Sequence, residues 1–112
     1  LGIQINKINS DGTTTADLSG AEYTITYYPK QYTSLVEIKE ETDPEVKPTV
    51  WVIQTKKHSD GSYYASLRDE CIVPNSNSAG AVFGKNHTGT YVIPLGTITV
   101  EETKAPAGFT KD

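Results

Sequence analysis

Two ionisable residues, one near each end of the sequence, have types and positions that could do chemistry. Lys7 continues the alternation of Ile3 and Ile5, so a strand here would direct its amine to the apolar face. Glu102 continues the apolar alternation of the segment 97–100 in the same way. A lysine and a glutamate are therefore both expected to point into the interior of the protein.

An isolated buried charge is costly, so such groups pair with each other or become neutral. Burial lowers the pKa of a lysine and raises that of a glutamate. A neutral amine is a nucleophile, and a protonated carboxyl can polarise a carbonyl by donating a hydrogen bond. With an Asn or Asp side chain between them, Lys7 could attack its carbonyl and form an amide, with loss of ammonia or water.

Strand parity alone leaves a plainer interpretation open for the same two residues. A lysine at the end of a strand can extend its amine to water along its aliphatic stem. Glu102 could then pair with Lys7 at the surface, while its neighbour Glu101 lies on the opposite, solvated face.

Composition excludes several functional classes. The chain has 112 residues, which fits one domain spanning 1–112, and a net charge of −4, whereas a nucleic-acid-binding protein usually has a basic face. It has no apolar run long enough for a transmembrane helix. The single cysteine, Cys71, is expected to be a small, partly buried hydrophobic residue, and with only His58 and His87 besides it we expect no metal and no cofactor.

Short strands separated by turn signals dominate the pattern and predict an all-β sandwich. A short strand is also expected around 35–38, followed by an acidic loop over 40–48, and no segment is predicted as a helix. Strands are predicted over the segments 2–8, 21–28, 50–55, 63–67, 91–93 and 97–102.

Three segments resemble, in order, those of CnaB-type domains, also called SpaA-like or prealbumin-fold domains, of Gram-positive pilins and surface adhesins. Residues 94–109, Pro-Leu-Gly-Thr-Ile-Thr-Val-Glu-Glu-Thr-Lys-Ala-Pro-Ala-Gly-Phe, resemble the family's Glu-Thr-x-Ala-Pro-x-Gly-aromatic segment. Residues 5–12 resemble its first strand and turn, and residues 18–23 its Leu-x-Gly-Ala-x-aromatic entry to the second strand.

The resemblance implies an immunoglobulin-like or prealbumin-like β-sandwich of Greek-key character in an extracellular, cell-wall-attached parent protein. It implies that Lys7 is the nucleophile of a spontaneous isopeptide bond to an Asn or Asp, and that Glu102 is the catalyst that handles the proton. The bond would form once per molecule, so the protein is not expected to be an enzyme with turnover. Neighbouring domains of the parent protein are the implied partners.

The acceptor is the part of the family pattern that we do not find. In the family it lies on a strand after the Gly-aromatic turn, whereas this sequence ends at Asp112, shortly after Phe109. We therefore expect the terminal strand to be missing, no completed internal bond, and an open sheet edge. A tag peptide carrying the Asn or Asp could fill such an edge, with this chain as the catcher half of a split ligation pair. The plainer alternatives are that the strand lies in a further part of the parent protein, or that a neighbouring copy supplies it. The candidates that we do not expect to be acceptors are Asp112, Asn6, Asn9, Asn75, Asn77 and Asn86.

An alternative function is an adhesin domain that binds a host matrix protein or a glycan. The acidic loop 40–48, Trp51 and several tyrosines would form its surface, although core packing explains the same aromatic residues. A hydrolase is not indicated, because no Ser-His-Asp arrangement is evident. The tyrosines in question are Tyr27, Tyr28, Tyr32, Tyr63 and Tyr64.

Overall fold

The computed structural model describes residues 3–8, 17–74 and 83–108, which form two three-stranded antiparallel sheets. One sheet has the order β1-β5-β4 and the other the order β3-β2-β6. The strands are β1 Gln4–Lys7, β2 Glu22–Tyr28, β3 Thr49–Gln54, β4 Lys56–Lys57, β5 Tyr63–Ser66 and β6 Thr97–Lys104, with a helix α1 at Leu35–Lys39 and a 3-10 turn at Asp69–Cys71. The predominantly β architecture that the sequence predicts is confirmed, and it is compatible with a β-sandwich.

The hydrophobic core is formed by inward side chains of both sheets. Alternate residues of β2 are buried, namely Tyr23, Ile25 and Tyr27, and the neighbouring β3 buries Trp51 and Ile53 in the same way. Aromatic and branched side chains suit this pleated arrangement, in which every second residue faces inward. The alternation predicted for both strands is therefore confirmed. The first sheet adds Ala65 to this core.

The chain crosses from one sheet to the other at Thr55, the single residue between β3 and β4. The Thr55 side chain is fully buried, and its hydroxyl donates to the Leu18 carbonyl at 2.8 Å and accepts from the Ala21 N–H at 3.0 Å. These bonds fix the residues that lead into β2, on which Tyr23 lies.

The prediction of a strand over 35–38 is wrong, since this segment forms the one-turn helix α1. The Ser34 hydroxyl caps the helix by accepting a hydrogen bond from the Glu37 N–H, at 3.3 Å. The Glu37 carboxylate in turn accepts bonds from the Thr33 N–H and hydroxyl, at 2.7 and 2.9 Å. Capping thus determines the local conformation, and the apolar residues of the segment are not buried.

The segment 91–93 is not a strand of either sheet. Tyr91 forms an isolated bridge with Lys85, and its N–H donates to the Leu67 carbonyl at 2.8 Å, whereas the next N–H donates to the Gly84 carbonyl at 3.0 Å. The backbone bonds therefore go to two different partners and form no ladder. The strand predicted over 91–93 is therefore wrong, although Tyr91 and Ile93 are both buried.

The remaining predictions of local structure fall on loops. The acidic segment 40–48 contains no helix or strand, as predicted. The turn predicted at 10–12 and most of the loop predicted at 74–80 lie outside the described residues. No helix within the described ranges is long and apolar enough to cross a membrane.

Candidate functional site

Lys7 and Glu102 meet in the space between the two sheets. The Lys7 Nζ lies 3.0 Å from the Glu102 Oε2, and the two side chains are only 14% and 8% exposed. The inward direction that strand parity predicts for each residue is therefore present in the structure. Because both side chains retain little contact with water, a purely solvated surface pairing does not describe them.

Strand β1 directs the Lys7 side chain inward through its pairing with β5. Ile5 lies opposite Ala65, and Lys7 lies opposite Tyr63. Ala65 is fully buried and Ile5 packs against the core, so the face that these residues share is the inner one. Lys7, two residues after Ile5, falls on that same face because side chains alternate along a strand.

Strand β6 positions Glu102 through its pairing with β2. Tyr23 lies directly opposite Glu102, and its hydroxyl donates a hydrogen bond to the Glu102 Oε2 at 3.1 Å. Two donors, the Lys7 amine and the Tyr23 hydroxyl, therefore converge on one carboxyl oxygen. The inward parity of Tyr23 predicts only a core residue, so its part in this site is not evident from the sequence.

A β-bulge follows Glu102 immediately. The register shifts so that Lys104 pairs with Glu22, which leaves Thr103 as an extra residue on β6. Strict alternation would have placed Lys104 on the same face as Glu102. With the bulge, the Lys104 side chain is instead 63% exposed and its Nζ lies 3.9 Å from the Glu22 Oε2. The bulge thus keeps a second lysine away from the buried carboxyl.

The inner face of β6 is only partly covered beside the pair. Val100 lies opposite the buried Ile25 and shares its side of the sheet, yet Val100 is 46% exposed. Farther along, an open depression of about 360 Å³ is lined by Ile93, Pro94, Leu95, Gly96 and Ile98. Within the described ranges β6 and β1 are each the outermost strand of their sheet. The pair therefore lies beside two sheet edges.

Burial makes this pair chemically different from a surface ion pair. Removing two charges from water costs several kcal/mol for each ion, and only close contact and further hydrogen bonds offset that cost. The Tyr23 hydroxyl supplies one such bond to Glu102. Transfer of one proton from the amine to the carboxyl would remove both charges, and burial favours that neutral form.

The candidate acceptor asparagines within the described residues, Asn6 and Asn86, make local hydrogen bonds. Asn6 faces outward, as predicted, and its side chain accepts a hydrogen bond from Gln4 at 3.0 Å. The Asn86 side chain stabilises a turn by accepting bonds from Thr88 and Thr90. The other candidates, Asn9, Asn75, Asn77 and Asp112, lie outside the described residues.

The cysteine and the two histidines lie in surroundings that explain them by packing and turn formation. Cys71 is fully buried, whereas the sequence predicts only partial burial. The His58 ring stacks on Tyr64 at 3.3 Å between ring centroids, and His87 lies in a turn. Among the described residues no three His, Cys, Asp or Glu side chains are grouped so that they could hold a metal ion.

Two of the aromatic residues considered for a binding surface belong to the core. Trp51 is fully buried and packs edge-to-face against Phe83, as does the buried Tyr27. In the acidic loop, Glu41 accepts hydrogen bonds from both Lys30 and Tyr32, each at 2.7 Å. Packing in the core therefore accounts for Trp51 and Tyr27, and anchoring of the loop accounts for Tyr32 and Glu41.

Neither a model of a known protein family nor a characterised protein matches this sequence.

Proposed function

We propose that this chain is a CnaB-type structural module of a bacterial cell-surface protein, a pilin or adhesin stalk, that forms a spontaneous isopeptide cross-link. Its fold would be the immunoglobulin-like or prealbumin-like sandwich of that family, with Greek-key character. The observation that carries the proposal is the 3.0 Å contact between the Lys7 Nζ and the Glu102 Oε2 in the sandwich interior. Lys7 is the nucleophile and Glu102 the proton-handling catalyst.

The chemistry follows from the low exposure of both groups. In the neutral form of the pair, the Lys7 amine has a lone pair for attack and the Glu102 carboxyl has a proton to lend. The carboxyl polarises the acceptor carbonyl while the amine attacks its carbon. The contact distance between the two groups already permits direct proton transfer.

The reaction consumes one Asn or Asp side chain and is balanced without a cofactor. The Lys7 Nζ forms a bond to the side-chain carbonyl carbon while Glu102 passes its proton to the carbonyl oxygen, and the resulting carboxylate then accepts the proton that the nitrogen loses. The bond from that carbon to the Asn nitrogen or Asp oxygen then breaks as Glu102 gives its proton to the leaving group, and Glu102 regains a proton from the hydroxyl as the carbonyl re-forms. Ammonia or water departs, and an amide bond remains. Because Lys7 is consumed, each molecule reacts once.

The acceptor would enter on a strand added beside the pair. Within the described ranges β1 and β6 are outermost strands, so either presents backbone groups that an extended segment can pair with. The partly covered Val100 marks apolar surface that such a strand would bury. A further segment of the parent protein or a separate tag peptide would serve; with a peptide, the chain would be the catcher half of a ligation pair.

A cross-link at this position suits a protein that carries load outside the cell. It would join Lys7 to the added strand and, where that strand is a further segment of the same chain, close almost the whole chain into one covalent loop. In the entropic model used for disulfides, a loop of about 100 residues stabilises a fold by about 4–5 kcal/mol. Cys71 is the only cysteine, so the chain has no internal disulfide that could do this.

The test is covalent ligation measured by intact-mass spectrometry and by a denaturing gel of boiled samples. The full chain is mixed with synthetic strand peptides in which apolar and polar residues alternate and one inward position is Asn or Asp. We expect an adduct whose mass lacks one ammonia or water. Lys7→Arg, which keeps the positive charge but is a far weaker nucleophile, abolishes the adduct, and Glu102→Gln abolishes or greatly slows it.

Lys57→Arg is the matched control, because Lys57 is an exposed lysine on β4 and should leave ligation unchanged. Tandem mass spectrometry of the adduct should locate the linkage at Lys7. An adduct that persists in Lys7→Arg, or no adduct with any peptide of the series, would contradict the proposed function.

A further inference from the structure

We propose that Tyr23 is a positioning residue that sets the orientation of the Glu102 carboxyl for bond formation, an inference that rests on the proposed function. The Tyr23 hydroxyl donates to the Glu102 Oε2 at 3.1 Å, and the Lys7 Nζ lies 3.0 Å from the same oxygen. One carboxyl oxygen is thus held by donors from two different sheets.

This arrangement assigns different tasks to the two carboxyl oxygens. An oxygen that accepts two hydrogen bonds acts as the acceptor atom, so the acidic proton of the neutral carboxyl belongs on Oε1. The Oε1 hydroxyl is then the group that polarises the acceptor carbonyl, while Oε2 receives the proton that Lys7 loses. Tyr23 enforces this division because its bond opposes rotation of the carboxyl group.

The position of Tyr23 in the fold supports a rigid role. Tyr23 is buried and lies directly opposite Glu102 in the β2–β6 ladder, so the two backbones fix the separation of the side chains. The β-bulge at Thr103 begins at the next residue of β6. Bulges next to functional sites commonly redirect a side chain, and here the bulge also turns Lys104 outward.

The ionisable groups around the carboxyl come from three directions. Lys7 faces it from β1, Tyr23 faces it from β2, and Tyr63 lies opposite Lys7 on β5. Glu22 and Lys104 pair with each other beyond the bulge. Removing the Tyr23 hydroxyl therefore changes one direct donor to the carboxyl and leaves the lysine in place.

Tyr23→Phe is the test, and the chain offers a matched control in Tyr27→Phe. Tyr27 is also a buried, inward tyrosine of β2, but its hydroxyl donates to the Leu95 carbonyl at 3.0 Å. Both variants lose one buried hydroxyl from the same strand face. Only the first loses a donor to Glu102.

Two measurements are made on the full chain across a pH series. The first is the rate of ligation to the Asn-bearing strand peptide that reacts fastest. The second is the titration of the Glu102 carboxyl, followed by carbon-13 NMR without any peptide. We expect Tyr23→Phe to lower the rate at its pH optimum at least about tenfold, since misplacement of a reacting group is costly.

We also expect the Glu102 titration in Tyr23→Phe to move to higher pH, because a donor to the charged form is lost. Tyr27→Phe should leave both measurements near the original values. If the titration moves but no variant or parent chain ligates, the proposed function fails while the placement of the carboxyl by Tyr23 stands. If the parent chain ligates and Tyr23→Phe changes neither the titration nor the rate more than Tyr27→Phe does, the inference is overturned.

Discussion

Lys7 and Glu102 are 95 positions apart in the chain, and their side chains meet at 3.0 Å between two different sheets. Lys7 belongs to the first strand and Glu102 to the last, so the contact joins the two ends of the described fold. Such a contact requires both sheets to be formed and packed. The pair therefore depends on the complete tertiary structure, and its disruption should affect the whole domain.

The first prediction concerns the thermodynamic cost of the buried pair. Lys7→Met leaves the Glu102 carboxyl without its cation, and we expect a loss of about 3 kcal/mol in the free energy of unfolding. The double variant Lys7→Met with Glu102→Leu removes both charges and should recover most of that loss. Equilibrium unfolding in guanidinium chloride measures the free energy of unfolding of the parent chain and of both variants, each free of any cross-link.

Lys104→Met provides the control for this comparison, because the contact of Lys104 with Glu22 is long and largely exposed. Its loss should stay below about 1 kcal/mol. Equal losses in Lys7→Met and Lys104→Met would mean that burial adds nothing to the cost of breaking the pair.

Much of the site could be predicted from the sequence because strands have a period of two. The inward direction of Lys7 and Glu102 follows from alternation with neighbouring apolar residues, and it is present in the structure. The role of Tyr23 could not be found in this way. Its bond to Glu102 depends on the register of β2 against β6, and a single sequence does not contain that register.

The errors in the predicted secondary structure at β4 and at α1 also have physical causes. The two-residue strand β4 is too short to show a period of two in the sequence. It is seen only in the structure, where the chain passes at Thr55 from one sheet to the other. The helix α1 was predicted as a strand because its apolar residues were given more weight than its cap. Ser34 followed three positions later by Glu37 is a pattern that favours a helix start, and the structure shows the cap.

The second prediction concerns Gly96, which lies at the entrance to β6. A Cβ atom added there would come 2.4 Å from the Tyr28 carbonyl oxygen and 2.8 Å from a Tyr27 ring carbon. Gly96→Ala should therefore shift the start of β6 and destabilise the domain by about 1–3 kcal/mol. Thermal or guanidinium unfolding measures the effect.

Gly84→Ala is the matched control, because an added Cβ at Gly84 meets no atom within 4 Å. We expect it to change the stability by no more than about 0.5 kcal/mol. If both alanine variants unfolded at the same guanidinium concentration, the close approach of Tyr27 and Tyr28 would not be what requires glycine at position 96.

The third prediction concerns pH and the loop anchored by Glu41. Hydrogen bonds from Lys30 and then Tyr32 lower the pKa of the Glu41 carboxyl from 4.5 to about 2. A lowered pKa in the folded state means that the stabilising contribution is complete above about pH 4.5 and is lost as the pH falls towards 2. Glu41→Gln should therefore be less stable than the parent chain at pH 7 and equal to it near pH 2.

Glu40→Gln serves as the control for this pH series, since Glu40 is the adjacent, exposed glutamate. Unfolding midpoints at each pH should show that Glu41→Gln loses part of the acid sensitivity and that Glu40→Gln keeps it. A constant difference between Glu41→Gln and the parent chain across the whole range would contradict the assignment.

The last prediction connects the sheet crossing to the functional site. Thr55→Val keeps the shape of the side chain but removes its hydroxyl, so the Ala21 N–H and the Leu18 carbonyl lose a buried partner. We expect a loss of about 2 kcal/mol in the free energy of unfolding. Thr55→Ser, which retains the hydroxyl and loses only a methyl group, should be closer to the parent chain.

The destabilisation in Thr55→Val should also be localised, because Thr55 holds the residues that lead into β2. Amide hydrogen exchange in Thr55→Val should accelerate at Tyr23 more than at Tyr28, which lies at the far end of the same strand. Ligation should slow in parallel, since Tyr23 would no longer hold Glu102 firmly. Uniform acceleration along β2, or equal effects of valine and serine, would show that the Thr55 hydroxyl does not organise this end of the sheet.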